Sequence, residues 1–254
     1  MFGGSGTVSV NMTDKFRRIT YNELDPNIYE IVKFFKNTDP DQLCEAYEFY
    51  VNYWNLGKTR EEEYYKFREN YRENPHIFKL FVLSKHSFSS LIRFNNGVFN
   101  MPWGRRGGPS TVLFRTIRKY NELLQGIKLS NKCYQDYLKY CFDKGEEYCD
   151  RSIFYFDPPY YASGANVYAP PWSKVEEKAF IKTLDSLNER GIKFVLSNTL
   201  RHRNKKNPYL KRFIKQNNFT VICPSFGTKG QGYTLNRATD TIDNQTHEIL
   251  LKNF

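Results

Sequence analysis

The sequence lacks what several protein classes require. It has no run of eighteen apolar residues, and the apolar segment Ile77 to Leu83 is short and broken by Lys79, so no membrane-spanning helix is expected. The N-terminus carries no basic and apolar signal pattern, which predicts a soluble, unsecreted, cytoplasmic chain. Its five cysteines, Cys44, Cys133, Cys141, Cys149 and Cys223, are odd in number and spaced without a C-x-x-C pair. Neither a disulfide framework nor a zinc site follows from such spacing. No His/Cys/Asp cluster suggests a metal, and there is no internal repeat. Acidic residues are missing from two long stretches, 74–121 and 190–239.

With 254 residues, 40% hydrophobic and 17% aromatic, the chain can bury a sizeable core in one or two domains. Its formal charge of +11 favours a polyanionic partner if the charge is concentrated, and the first acid-free stretch concentrates it. Lys79, Lys85, Arg93, Arg105, Arg106, Arg115, Arg118 and Lys119 all fall there. That stretch also holds Phe94-Asn95-Asn96-Gly97-Val98-Phe99, where Asn-Gly between apolar residues signals a hairpin, followed by Pro102-Trp103-Gly104-Arg105-Arg106. Arginines on such a hairpin and its following loop can enter a major groove and pair with guanine. A solvated basic face is the plain alternative.

The most informative segment is Phe154-Tyr155-Phe156-Asp157-Pro158-Pro159-Tyr160. An apolar run reads as a buried strand, and two prolines cannot continue its ladder, so Asp157 falls at the carboxyl end. In open α/β sheets ligands bind there. The prolines lack N–H groups and fix φ, which leaves a backbone carbonyl and the Asp157 carboxylate as two acceptors facing one point. An exocyclic amino group supplies two donors, and Tyr160 adds a flat face for a planar base. The alternative is a surface turn after a strand.

Elsewhere the patterns are mostly architectural. Phe2-Gly3-Gly4-Ser5-Gly6 is a Gly-rich turn that allows close ligand approach or forms a plain linker. The apolar segment Arg18 to Asn22 ends at Glu23, placed like the acid that grips a ribose in nucleotide-binding βαβ units, about 20 residues after the glycines. Glu23 and Asp25 equally suit capping of the next helix, with Pro26 in its first turn. Residues 39–74 have helical periodicity, with Gly57 as a stop and Thr59-x-x-Glu62 as a capping box; their aromatics read as core. Ser110 starts another helix ending near Gly126, and Ile127-Lys128-Leu129 reads as a short strand. Residues 161–171 suit a lid or substrate loop. Ser173-x-x-Glu176 and Gly191 bracket a helix between the Asp157 strand and the strand Ile192 to Asn198, which predicts a βαβ unit with a parallel sheet. Val221-Ile222 and His247 to Leu251 are the last strands, and His202 reads as a surface residue.

These residues together resemble the Dam-type DNA adenine N6-methyltransferases of the D12 class, the phage Dam branch in particular. The specific blocks are Phe88-Ser89-Ser90-Leu91-Ile92-Arg93, Phe99 to Arg106, Asp157 to Tyr160, and Asp185 to Phe194, and the resemblance covers nearly the whole chain. It implies an α/β fold: a Rossmann-like S-adenosylmethionine-dependent domain at 1–35 and 121–254, and an inserted, mainly helical target-recognition domain with a β-hairpin at 36–120. It further implies methyl transfer from S-adenosylmethionine to a flipped adenine in GATC of double-stranded DNA, without a metal. Asp157, Pro158, Pro159 and Tyr160 would be catalytic, with N6–H donated to Asp157 and to the Pro158 carbonyl. Phe2, Gly3, Gly4, Glu23, Asp136, Tyr137 and Asp157 would hold the cofactor. Phe88, Ser90, Arg93, Pro102, Arg105 and Arg106 would contact DNA, Phe88 as a wedge and Arg106 on a guanine.

One departure from that family lies at the beginning. Dam-type enzymes precede the Gly-rich turn with a cofactor-contacting segment and a first strand, whereas here Phe2 already lies in the turn. The expectation is weak or no activity for the chain alone, with the missing segment supplied by a partner chain or absent through truncation, ahead of lost cofactor binding. Methylation of RNA or of a protein glutamine shares the tetrad's logic but gives the Arg-rich hairpin no purpose. A non-enzymatic DNA-binding homologue is the third reading.

Overall fold

The fold is described from a computed structural model, for residues 1–163, 172–223 and 246–254. The chain forms two compact units, residues 3–133 and residues 1–2 with 134–254. Among the described residues no helix is long and apolar enough to cross a membrane.

In the unit of residues 3–133, a short helix α1 (Thr7–Asn11) leads to strand β1 (Ile19–Asn22). Helix α2 (Pro26–Asn37) begins where sequence chemistry puts it: Asp25 accepts from the N–H groups of Asn27 and Ile28, and Pro26 occupies the first turn. Asp39 and Pro40 repeat the device for α3 (Pro40–Tyr53). Helix α4 (Glu61–Glu73) departs from expectation, because its N-cap is Arg60 with no side-chain cap bond, so the Thr59 capping box does not form. Arg60 N–H closes a backbone turn onto the Gly57 carbonyl instead, and Glu61, Glu62 and Glu63 place acids in the first turn, where the helix dipole favours them. Helix α5 (Ile77–His86) runs into a single 3-10 turn, Phe88–Ser90.

Strands β2 (Phe94–Asn95) and β3 (Val98–Phe99) form an antiparallel hairpin with Phe94 opposite Phe99. Asn96 and Gly97 both take positive φ, as the two-residue turn requires. Helix α6 (Thr111–Leu124) is capped by Ser110 and leads to β4 (Ile127–Ser130), which pairs parallel with β1 in the register Tyr21 to Leu129. The core is built from aromatic faces of the helices, with Tyr47, Tyr64, Phe67, Phe78 and Leu83 all buried. The helical aromatics of residues 39–74 mostly pack inward as expected, except that Phe49 and Tyr53 stack on each other at the surface.

In the other unit, α7 (Tyr134–Phe142) and α8 (Glu146–Asp150) precede β5 (Phe154–Phe156), and α9 (Lys174–Glu189) joins β5 to the long strand β6 (Phe194–His202). The capping box of Ser173 and Glu176 opens α9. Strand β5 pairs parallel with β6, and β7 (Lys205–Lys206) turns back on the end of β6. Helix α10 (Pro208–Gln216) and strand β8 (Thr220–Ile222) follow, and β9 (His247–Lys252) lies antiparallel between β6 and β8. The sheet β5-β6-β9-β8 is therefore mixed, and only its βαβ portion is the parallel pair that the sequence predicts. Phe156, Phe194, Leu196, Ile249 and Leu251 line one buried face against Phe180 and Leu184 of α9 and Leu210 of α10. A buried carboxylate braces that face: Glu177 accepts from Trp172 Nε1 and from Asn207 Nδ2, each at 2.6 Å. The expected lid segment lies outside the described residues from 164 onward, as does the second acid-free stretch from 224.

Candidate active site and nucleic-acid interface

Strand β5 ends in the core at Phe156, and Asp157 stands one residue beyond its last paired position. Its neighbour on β6 is Ser197, because Phe156 pairs with Leu196. Pro158 is buried, while Asp157, Pro159 and Tyr160 are half-buried. The Tyr160 carbonyl accepts from the backbone N–H and the hydroxyl of Ser163, which closes a tight turn after the prolines. The Tyr160 hydroxyl donates to Asp157 Oδ1 at 2.9 Å and lies 2.9 Å from Ser197 Oγ. Burial raises the Asp157 carboxyl above its ordinary value, and the Tyr160 hydrogen bond, then the N-terminal amino group and Ser197, work against that rise. The Tyr160 phenol is also raised, by burial first and then by the Asp157 charge. Next along β6, Asn198 Nδ2 and Thr199 Oγ1 are buried without a hydrogen-bond partner among the described residues. Such groups cost about 1–3 kcal/mol each, so a polar strand end of this kind needs a reason.

The remaining expected cofactor residues divide between the units. In the first, Gly3 N–H donates to the Asn22 carbonyl, and the Tyr21 hydroxyl donates to the Gly4 carbonyl. A Cβ on Gly3 would lie 2.3 Å from the Tyr21 ring, so only glycine fits. At Gly4, where φ is +52°, a Cβ would meet nothing within 4 Å, so the backbone is open to close approach. Glu23 holds this turn, its carboxylate accepting from Gly4 N–H at 2.7 Å and from Asp25 N–H at 2.8 Å. The capping role open to Glu23 or Asp25 belongs to Asp25. In the other unit, Phe2 packs its ring against Tyr134, Trp172 and Phe180, Asp136 is exposed in the first turn of α7, and Tyr137 is buried in the core.

The expected DNA-contacting residues all belong to the unit of residues 3–133, where two segments are stitched together. Phe88 N–H donates to the Pro102 carbonyl, Gly104 N–H donates to the His86 carbonyl, and Ser87 forms a β-bridge with Trp103. Phe88 is 52% exposed, and Ser90, Arg93, Pro102, Arg105 and Arg106 are exposed too. Arg93 Nε donates to Asn100 Oδ1 across the hairpin, and the Arg105 guanidinium sits 5.8 Å from the centroid of the Trp103 ring. Ser89, Ser90 and Arg105 have positive φ, unusual for residues with side chains, at the places where the chain reverses to present them. Lys85 has no anionic partner among the described residues. Burial lowers its ammonium, and the Arg106 charge lowers it further.

Sequence reasoning missed Ser197, His86, Ser87 and the role of Gly104. Ser197 carried a faint signal, since the apolar strand Ile192 to Leu196 turns polar at Ser197-Asn198. His86 is wholly buried, 3.2 Å through Nε2 from the Tyr47 hydroxyl, and burial pushes its pKa down to about 4.

Strand β5 thus ends in Asp-Pro-Pro-Tyr beside the polar end of β6. Residues 1–224 match the model of the D12 class N6 adenine-specific DNA methyltransferases, and the chain belongs to that family. Among curated proteins it is similar to Modification methylase StsI of Streptococcus sanguinis, 29% identical over 87% of this chain and 34% of that protein. Modification methylase LlaI of Lactococcus lactis subsp. lactis is 29% identical over 86% of this chain and 35% of its own length. Type II methyltransferase M.FokI of Planomicrobium okeanokoites is 25% identical, with 38% of its length covered. The chain thus spans about a third of the length of these relatives.

Proposed function

We propose that this chain transfers a methyl group from S-adenosylmethionine to the N6 amino group of an adenine flipped out of double-stranded DNA, with GATC as the target. The observation that carries the reading is the Asp157 carboxylate at the end of β5, in a D12-class chain, fixed by the Tyr160 hydroxyl. Adenine N6 is a poor nucleophile because its lone pair is delocalised into the ring. Accepting its hydrogens at Asp157 and at the Pro158 carbonyl favours a pyramidal nitrogen, and these acceptors act most strongly as positive charge develops there. Tyr160 offers a ring on which the extruded base stacks, and Pro159 keeps the turn from following the base.

S-adenosylmethionine supplies an electrophilic methyl on a sulfonium, so no metal is required. Phe2, Gly3, Gly4, Glu23, Asp136, Tyr137 and Asp157 are the residues that the family resemblance assigns to holding it. The open backbone at Gly4 supports that assignment. A Rossmann-like catalytic domain at 1–35 and 121–254, with an inserted recognition domain at 36–120, is the matching arrangement. Phe88, Ser90, Arg93, Pro102, Arg105 and Arg106 then read the duplex, Arg106 on a guanine, and Lys85, with no anionic partner among the described residues, suits its phosphates.

The test is transfer of tritiated methyl groups to GATC duplexes, scrambled duplexes and RNA hairpins of equal length. Incorporation into GATC DNA that falls by at least about 100-fold in Asp157→Ala supports the reading. Undiminished transfer by Asp157→Ala, or preference for RNA, refutes it.

A further inference from the structure

Ser197 has no part in the chemistry above, yet it touches the tetrad directly. The Tyr160 phenol has one proton, and two oxygens, Asp157 Oδ1 and Ser197 Oγ, lie 2.9 Å away on either side. An ionised carboxylate only accepts, so the phenol's proton goes to Asp157 and the Ser197 hydroxyl must donate to the phenol oxygen. Two strands and the turn between them thereby share one chain of bonds, Ser197 to Tyr160 to Asp157.

We propose that Ser197 is a positioning residue which, through the Tyr160 hydroxyl, fixes both the Asp157 carboxylate and the Tyr160 ring. The inference rests on the reading of Asp157 as the acceptor for the substrate amino group. An ionised carboxylate offers about four lone-pair sites, so the chain of bonds orients Asp157 without using up its capacity for a substrate N–H. It also ties down the far end of a ring whose face is its working surface, so that neither group must be ordered when the base arrives.

Among the described residues, the groups facing this cluster are few. Tyr155 on β5 bears on Asp157 and Ser197, Glu248 on β9 bears on Tyr160, and the Met1 amino group, which donates to the Tyr155 carbonyl, bears on Asp157. Removing a bond donated towards ionised Asp157 favours its protonated form, so the loss of Ser197 must raise the pH at which Asp157 ionises.

The experiment is a titration of Asp157 by the 13C resonance of its carboxyl carbon in the full chain, for wild type, Ser197→Ala, Ser197→Thr, Tyr160→Phe and the double variant Ser197→Ala with Tyr160→Phe. Ser197→Ala and Tyr160→Phe should both move the midpoint upward, Ser197→Thr should leave it in place, and the double variant should move it no further than Tyr160→Phe alone. In methyl transfer, Ser197→Ala should lower kcat about tenfold, the worth of one well-made buried hydrogen bond, and shift the acid limb of kcat upward with KM for DNA unchanged. An unmoved midpoint in Ser197→Ala, or shifts that add in the double variant, overturns the proposal. The titration needs no turnover, so it decides the role of Ser197 even if methyl-transfer assays refute the function.

Discussion

Replacing Gly104 with alanine probes the joint that carries the exposed aromatic and arginines. A Cβ at that position would lie 2.1 Å from the Ser87 carbonyl oxygen, 2.3 Å from its carbon and 2.7 Å from Phe88 N. All three are backbone atoms, so no side chain can swing aside. Ser87 cannot retreat easily either, because it is buried and its hydroxyl shares its one proton between the carbonyls of Ser84 and Leu91. To reach even a tight contact the two segments must part by about 1 Å, which stretches the bonds from Gly104 N–H to His86 at 2.8 Å and from Phe88 N–H to Pro102 at 2.9 Å. Overpacking costs about 1–3 kcal/mol and each of the two weakened bonds about 1 kcal/mol, so a loss of about 3–5 kcal/mol is expected, about 10 °C or more in Tm. Thermal melting followed by tryptophan fluorescence measures it, with Gly97→Ala as the comparison. Gly97 has φ of +76° and open space around it, so its alanine should cost only the left-handed penalty of about 1–2 kcal/mol. A Gly104→Ala protein that melts within about 2 °C of wild type would refute the steric argument.

Three further outcomes follow from the same contacts. His86 has its pKa pushed down to about 4 from 6.5, so the unfolded chain binds the proton more readily and stability is lost as pH falls through that window; His86→Gln should flatten the loss, worth about 2 kcal/mol, in chemical denaturation at pH 4.5 against pH 7. Arg106→Ala should remove about 1–3 kcal/mol of discrimination at one base pair, and binding assays on singly substituted duplexes that find an unchanged preference would take Arg106 out of the reading set. Lys85→Ala, by contrast, should weaken binding to all duplexes alike and reduce the slope of log affinity against log salt by about 1; a sequence-dependent loss would show that it reads bases.

How much was legible from residues alone depended on the reach of the interaction. Asp157 could be placed because a buried strand that meets two prolines must stop there, and the hairpin because Asn96-Gly97 supplies two residues tolerant of positive φ. Both are local facts. Ser197 was hidden because its partnership with Tyr160 depends on the pairing of β5 with β6 across the whole length of α9. The mixed sheet was hidden for a similar reason: the direction of β9 against β6 is set by packing and not by its own five or six residues. Thr59 misled because its capping pattern is sound but lies one residue too early, a backbone turn from Gly57 having already set where α4 begins. The glycines of the N-terminal turn suit either close ligand approach or a plain linker, and what their spacing does not show is that Gly3 leaves room for the Tyr21 ring.

On the proposed reading of Phe88 to Arg106 as the residues that contact DNA, the stitch between Ser87 and Gly104 bears on any attempt to give this protein a new target. Because Gly104 has no room for a side chain against the Ser87 backbone, the hairpin and the end of α5 form one interlocking cassette. Grafting 94–106 from a relative without 84–91 would set a foreign loop against a mismatched mould. The interchangeable part is the pair of segments, and exchange of specificity between such proteins has to move both halves at once.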